Sequence, residues 1–327
     1  MSLPAPTRRL ALRALGASLV AIAALCPAAG RAADAKPDVA LFLARLDVTA
    51  GTVSEVRNVT PEKGANFQPA FTRDGKAVLF ASDRAGANNV YRHDLASGET
   101  TAVTDTTDKL YSPTPLADGS GFSAIRVVNA DPSYGVEMKE PAVWRYGWDG
   151  KPVAPAIPTL RVGYHAWIDD QRLALFLVDA VPERNAHKAV LFNRRTGKTT
   201  LLTDKPGRSL GRSPDGRRAT FVDQTDPAHW QICAMGEGDA KAQVLVETPL
   251  GPEGEKDTNR SQYFVWLPDG SMLMARGDLL LRWDGKAGTA FKPFTELPGL
   301  GGAIRNIAVS PDGAQLAFSV LLAAPQP

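Results

Sequence analysis

A short turn centred on Asp, in most copies Asp-Gly, recurs six times with apolar residues on either side, and its spacing restricts the architecture. The copies are Phe71-Thr72-Arg73-Asp74-Gly75, Pro115-Leu116-Ala117-Asp118-Gly119, Trp167-Ile168-Asp169-Asp170, Arg212-Ser213-Pro214-Asp215-Gly216, Trp266-Leu267-Pro268-Asp269-Gly270 and Val309-Ser310-Pro311-Asp312-Gly313. Counted from Asp74, Asp118, Asp169, Asp215, Asp269 and Asp312, the intervals are 44, 51, 46, 54 and 43 residues. Asp caps the local backbone, Pro presets φ where it occurs, and Gly accepts a left-handed conformation, so each copy reads as a tight hairpin. A repeat of this length built from hairpins is the signature of a propeller blade.

A second turn follows in each of the first five units, at Asp94-Leu95-Ala96-Ser97-Gly98, Trp148-Asp149-Gly150, Asn193-Arg194-Arg195-Thr196-Gly197, Met235-Gly236-Glu237-Gly238 and Trp283-Asp284-Gly285. Two hairpins per unit make a four-stranded antiparallel blade. The sixth unit has one strand after its turn, Gln315 to Leu321, and its missing half stands at the other end of the chain. There Val39–Leu46, a turn at Asp47-Val48-Thr49-Ala50-Gly51 and Thr52–Thr60 read as an outer hairpin without an inner one. The expectation is an all-β, six-bladed β-propeller closed by N-terminal strands that complete the last blade, leaving no open ring edge. Residues 38–323 form one domain: 38–60 are the outer strands of blade six, followed by blades at 66–104, 109–160, 162–203, 207–248 and 259–296, and 302–323 are the inner strands of blade six. Gly 29 and Pro 25 suit many short strands joined by turns, and a ring of this kind runs beyond the usual domain length.

Residues 1–33 read as a cleavable export signal. Arg8, Arg9 and Arg13 precede an apolar run from Ala14 to Cys26, with small residues beyond it and cleavage after Ala33 or Ala35. The apolar run is short for a bilayer span. Thr7-Arg8-Arg9-Leu10-Ala11-Leu12-Arg13 is similar to a twin-arginine motif, with Ala11 in place of a bulky residue, and general secretory export is an equal reading. Cys26 follows Leu25 rather than the small residue a lipoprotein signal needs. The expected location is the periplasm, as a soluble monomer without stable membrane insertion. Removing residues 1–33 takes away Arg8, Arg9, Arg13 and Arg31 and no acid, so the formal charge of +2 becomes −2. No Lys/Arg-dense tract remains, which argues against a nucleic-acid partner. Cys233 is then the single cysteine, so no intramolecular disulfide is expected.

Blade one carries a family resemblance. Gln68-Pro69-Ala70-Phe71-Thr72-Arg73-Asp74-Gly75-Lys76-Ala77-Val78-Leu79-Phe80-Ala81-Ser82-Asp83-Arg84, followed by Asn89-Val90-Tyr91 and Val103-Thr104-Asp105, resembles the repeat of the TolB family, the periplasmic propellers of the Tol-Pal system, which is shared with propeller domains of prolyl-oligopeptidase relatives. Blades four and six keep Ser-Pro-Asp-Gly, and blade three departs at Asp169-Asp170. The resemblance implies the fold along the whole processed chain and a periplasmic setting. Unlike TolB, the ring is expected to start within a few residues of the cleavage site, with no additional N-terminal domain, and a role in Tol-Pal does not follow from a shared repeat.

In a propeller whose inner strands run from one face to the other, the Asp-centred and second turns share one face, and the links between blades and between hairpins share the opposite one. The long excursions Asn129–Pro141, Asp179–Lys188 and Pro249–Thr258 all fall on that second face, where elaborated loops over a rigid scaffold commonly bind. The residues six and seven before each Asp should rim the channel there: Phe67 and Gln68, Tyr111 and Ser112, Val162 and Gly163, Arg208 and Ser209, Gln262 and Tyr263, Arg305 and Asn306, with Lys109, Arg161 and Arg260 close by. The candidate binding set is Gln68, Tyr111, His165, Arg208, Arg260, Tyr263, Arg305 and Asn306, whose aromatic, amide and guanidinium groups suit a peptide or an anionic group.

The rim positions carry no carboxylate, which argues against the divalent-cation sites of ring-shaped hydrolases. Gly-x-Ser-x-Gly, Walker, dinucleotide and Cys/His metal patterns are absent, and no cofactor, metal or catalytic residue is expected. Two functions remain. One is a non-catalytic binding or scaffold propeller for a protein, peptide or other envelope component on the loop-rich face. The other is an envelope hydrolase or lactonase whose metal ligands come from Asp131, Glu137, Glu140 or His165.

Overall fold

Successive side chains of a strand point to opposite faces, and the unbroken apolar run Val39-Ala40-Leu41-Phe42-Leu43-Ala44 at the start of Val39–Asp47 reflects a strand covered on both faces. In the computed structural model, which describes residues 38–62, 64–128, 140–181, 184, 186–249 and 262–323, six four-stranded antiparallel sheets form a six-bladed propeller. The first two strands are β1 (Val39–Asp47) and β2 (Thr52–Asn58). Blade one is β3 (Asn66–Phe71), β4 (Ala77–Ser82), β5 (Asn89–Asp94) and β6 (Thr100–Ala102), and blade two is β7 (Lys109–Pro115), β8 (Gly121–Val127), β9 (Ala142–Gly147) and β10 (Pro152–Ile157). Blade three is β11 (Val162–Trp167), β12 (Arg172–Leu177), β13 (Lys188–Asn193) and β14 (Thr199–Thr203). Blade four is β15 (Pro206–Arg212), β16 (Ala219–Asp223), β17 (Gln231–Met235) and β18 (Gln243–Glu247). Blade five is β19 (Phe264–Trp266), β20 (Met272–Arg276), β21 (Leu279–Trp283) and β22 (Lys292–Glu296), and the chain ends in β23 (Gly302–Val309) and β24 (Gln315–Leu322).

The closure is the one expected. The last blade runs β2-β1-β24-β23, and β1 pairs with β24 without a register break from Val39↔Leu321 to Arg45↔Gln315. The alternation along β1 explains why this seam holds. Leu41 and Leu43 pack with Phe71, Val78 and Phe80 of blade one, whereas Ala44 and Leu46 pack with Leu267 and Leu273 of blade five. Burying a leucine of this kind contributes about 1.5–3 kcal/mol. Among the described residues there are six core clusters, and each fills one interface between neighbouring blades. The inner strands close the ring: β3 lies beside β7 and β23, β11 beside β7 and β15, and β19 beside β15 and β23.

The Asp-centred turns work as their composition demands. Gly75, Gly119, Gly216, Gly270 and Gly313 all take φ between 67° and 83°, a region most side chains avoid. Blade three differs in having no such glycine: the Asp169 carboxylate, like the other turn acids, accepts from backbone N–H groups beyond it, here those of Gln171 and Arg172, and the cap alone closes the turn. The second turns lie on the same face, since Leu95 N–H donates to Lys76 O and Arg194 N–H donates to Gln171 O. Cys233 is buried and unpaired in β17, and burial pushes its thiol up to about 12, which leaves it unreactive. The expected export signal lies outside the described residues, as do most of the excursions at 129–141 and 249–258.

Candidate functional site

The inner strands do not run straight through the channel. The pairing of β3, β7, β11, β15 and β23 with their neighbours breaks between Phe67 and Ala70, Tyr111 and Thr114, Val162 and Tyr164, Pro206 and Leu210, and Ile304 and Ile307. These are β-bulges, which turn a strand locally and re-aim its groups. Gln68 and Ser112, neither of them glycine, take φ of 57° and 51° at the bulge. The N–H groups released from the ladder then bond across blade boundaries. Gln68 N–H donates to Asn306 Oδ1 (3.2 Å), Ser112 N–H to Gln68 Oε1 (2.7 Å) and Arg208 N–H to Gln262 Oε1 (3.0 Å).

The bulges stack the channel wall in layers. Gln68, Ser112, Tyr164, Ser209, Tyr263 and Asn306 line its mouth on the loop-rich face, a cavity of about 160 Å3. Beneath them Pro69, Pro113, His165, Leu210, Phe264 and Ile307 form a throat. Beyond the throat the channel widens to a vestibule of about 440 Å3 that opens among the Asp-centred turns. The widening follows from residue size, because the next layer is Ala70, Thr114, Ala166, Gly211, Val265 and Ala308.

Tyr164 is the mouth residue that counting from Asp169 misses, since that count places Val162 and Gly163 there. The last ladder pair of each inner hairpin supplies the correct frame: Phe71↔Val78, Pro115↔Phe122, Trp167↔Leu173, Arg212↔Ala219, Trp266↔Met272 and Val309↔Leu316. The turn Asp stands three residues after the first member in five blades, and in blade three that position is Asp170. Asp169 stands one residue earlier, so the wall there is displaced by one. Tyr164 lies against the Tyr263 phenol and the Arg208 guanidinium. Burial pushes its hydroxyl up to about 12, and the neighbouring Tyr263 phenol adds to the shift while Arg208 opposes it. Behind it, the Phe176 ring meets Tyr164 edge-on at 5.5 Å. His187, from the β12–β13 connection, packs on Phe176 at 5.1 Å and accepts a hydrogen bond from Asp179 N–H.

The other expected site residues divide. Gln68, His165, Arg208, Tyr263 and Asn306 meet in the mouth and throat. The side-chain oxygens of Gln68 and Asn306 are engaged between blades, which leaves their NH2 groups for a ligand. Tyr111 turns away from the channel and stacks on Phe67 at 6.0 Å. Arg305 is half-buried one position before the mouth layer, and Arg260 lies outside the described residues, with Asp131 and Glu137. His165 is buried in the throat, where its Nε2 is 2.7 Å from Ser123 Oγ, and burial pushes its pKa down to about 4. Among the described residues no three His, Cys, Asp or Glu side chains cluster as a metal site would require.

Comparison with known proteins agrees with this geometry. No family model matches the chain. The TolB protein of Bordetella pertussis is 38% identical over 52 residues, 16% of this chain and 12% of the relative's length. A solved structure from Agrobacterium tumefaciens described as a TolB superposes with a TM-score of 0.63 at 16% identity, over 88% of this chain and 99% of the other. The fold is that of the TolB propellers. The TolB-like ring is also similar to a gluconolactonase of Xanthomonas campestris, with a TM-score of 0.56 at 14% identity over 86% and 95% of the two chains. The shared architecture therefore spans TolB proteins and an enzyme, and the function has to be argued from the site.

Proposed function

We propose that this TolB-like propeller is a periplasmic binding protein that captures an envelope protein or peptide at the channel mouth on its loop-rich face. The cluster of Tyr164, Tyr263 and Arg208 carries the reading. Two phenols and an exposed guanidinium meet above an apolar throat, and the described mouth residues include no carboxylate. Rigid aromatic rings and a forked cation are the groups that anchor protein interfaces. The amide clamps fix the neighbouring strands of the same mouth layer, so little ordering accompanies binding.

A photo-cross-linking amino acid at position 263, carried by the protein in its native periplasm, tests this. A discrete cross-linked species is expected, together with its loss when Arg208→Ala is added. If position 263 gives no adduct while the same probe on the outer strand at Leu201 does, the mouth is not the docking site. The similarity to a gluconolactonase supports a second reading, in which ligands drawn from Asp131, Glu137, Glu140 or His165 supply a catalytic metal site. A stoichiometric divalent cation in the purified protein, lost on Glu137→Gln/Glu140→Gln, would favour that enzyme over the binder.

A further inference from the structure

The geometry points to a second ligand site, distinct from the loop-face mouth: the vestibule on the Asp-turn face binds a small organic carboxylate with a flat apolar body. Its volume of about 440 Å3 falls in the range of pockets that enclose small molecules. The wall follows from the inner-strand sequence. A layer of small side chains, including Ala70, Ala166, Gly211 and Ala308, leaves the space, and Trp167 and Trp266 supply apolar ring surface at its edge. The two indoles are held in place, with Trp167 Nε1–H donating to Ser123 Oγ (2.9 Å) and Trp266 Nε1–H to Thr220 Oγ1 (3.2 Å).

The electrostatics select the sign of the ligand. Arg73 and Arg212 stand exposed at the opening. Arg73 Nε–H donates to the Leu116 carbonyl, and among the described residues no carboxylate pairs with either arginine. The acid on this wall, Asp169, is engaged by Arg172 at 2.7 Å. Among the described residues that line the vestibule, Arg73 and Arg212 are therefore the charged groups without an opposite partner, and guanidinium groups bind carboxylates through paired N–H donors.

At the floor stands a polar atom with no protein partner. His165 is 7% exposed and lines the vestibule, and its Nδ1 makes no hydrogen bond. Ser123 Oγ is 2.7 Å from His165 Nε2 and 3.3 Å from the Thr114 carbonyl, and it accepts from Trp167. Ser123 thus occupies Nε2, and Nδ1 is the ring nitrogen left without a protein partner. A buried polar atom without a protein partner is costly, and it marks His165 as the polar point of an otherwise apolar floor.

Titration of the purified full chain with 2-naphthoate, with the isosteric neutral 2-naphthamide as control, tests the inference by calorimetry. One saturable site is expected, with the acid bound at least tenfold more tightly than the amide. Arg73→Ala/Arg212→Ala, at exposed positions, should remove that preference, and Ala308→Phe, which fills the cavity, should abolish binding of both probes. Arg208→Ala, at the opposite mouth, should leave the affinity for 2-naphthoate unchanged. The site is refuted by an absence of saturable naphthoate binding at millimolar concentration, by equal binding of acid and amide, or by binding that survives both the double arginine variant and Ala308→Phe. Sensitivity to Arg208→Ala alone would assign the carboxylate to the loop-face mouth and overturn the second site.

Discussion

The repeat Asp is a structural acid, and its chemistry shows this. Thr72, Ser213 and Ser310 donate their hydroxyls to Asp74, Asp215 and Asp312, and the backbone N–H two residues beyond each Asp donates as well. These bonds, the hydroxyl first, hold the three carboxyls below their ordinary value of 3.8. Because folding lowers these pKa values, the unfolded chain binds more protons than the native one as pH falls below about 4. The stabilisation is complete above the ordinary carboxylate range and is lost as pH drops through the native values. Asp74→Asn/Asp215→Asn/Asp312→Asn should lower Tm at pH 7, and the gap to the parent should close below pH 4 in thermal scans. A gap that stays constant from pH 7 to pH 3 would mean the carboxylates are ordinary solvated groups. Ser213 thereby has an assigned role in the turn as the hydroxyl partner of Asp215.

At the scale of the strand, the inner-strand bulge decides which residues face the channel. Gln68 shows how: its N–H reaches Asn306 of the last blade, and its side-chain oxygen takes the N–H of Ser112 from the next. Truncation by Gln68→Ala leaves the Ser112 N–H without its acceptor at a site that is partly buried, a loss of about 1–3 kcal/mol. Chemical denaturation should report that loss, and Gln68→Glu, which keeps the acceptor, should recover most of it. Equal destabilisation by both substitutions would remove the clamp. The bulge also marks where sequence reasoning stops. Blades were legible because each turn imposes a local requirement, Gly at positive φ or an Asp cap, and such requirements leave a residue signature. The bulges at Gln68 and Ser112 leave none, since a non-glycine residue holds positive φ through bonds to a neighbouring blade. Tyr111 accordingly seemed to belong to the mouth and instead stacks on Phe67, and Tyr164 was displaced from view because Asp169 and Asp170 are both plausible origins. Arg208, Tyr263 and His165 were legible because their blades keep an unambiguous frame or because a lone histidine stood near the rim.

At the scale of the molecule, stability depends on a seam between sequence-distant ends of the ring. The β1–β24 ladder is continuous over seven pairs, and the two strands adjoin end to end on the loop-rich face, where Leu322 N–H donates to Asp38 O at 3.0 Å. Joining residues 323 and 38 by a linker of about four residues would convert the seam into an ordinary hairpin, a connection whose short loop costs little closure entropy. New ends can then be opened between β2 and β3, near residue 63. This circular permutant should fold with a Tm within a few degrees of the parent and the same far-ultraviolet spectrum, because every ladder and core contact is retained while only chain order changes. Deletion of 38–60 is the counterpart. It strips Leu41, Leu43, Ala44 and Leu46 from two inter-blade cores and exposes the long apolar edge of β24, so insoluble protein is expected. A soluble, cooperatively melting deletion variant would show that the ring closes without its first two strands. A permutant that fails to fold would show instead that these strands must be made first to template the last blade.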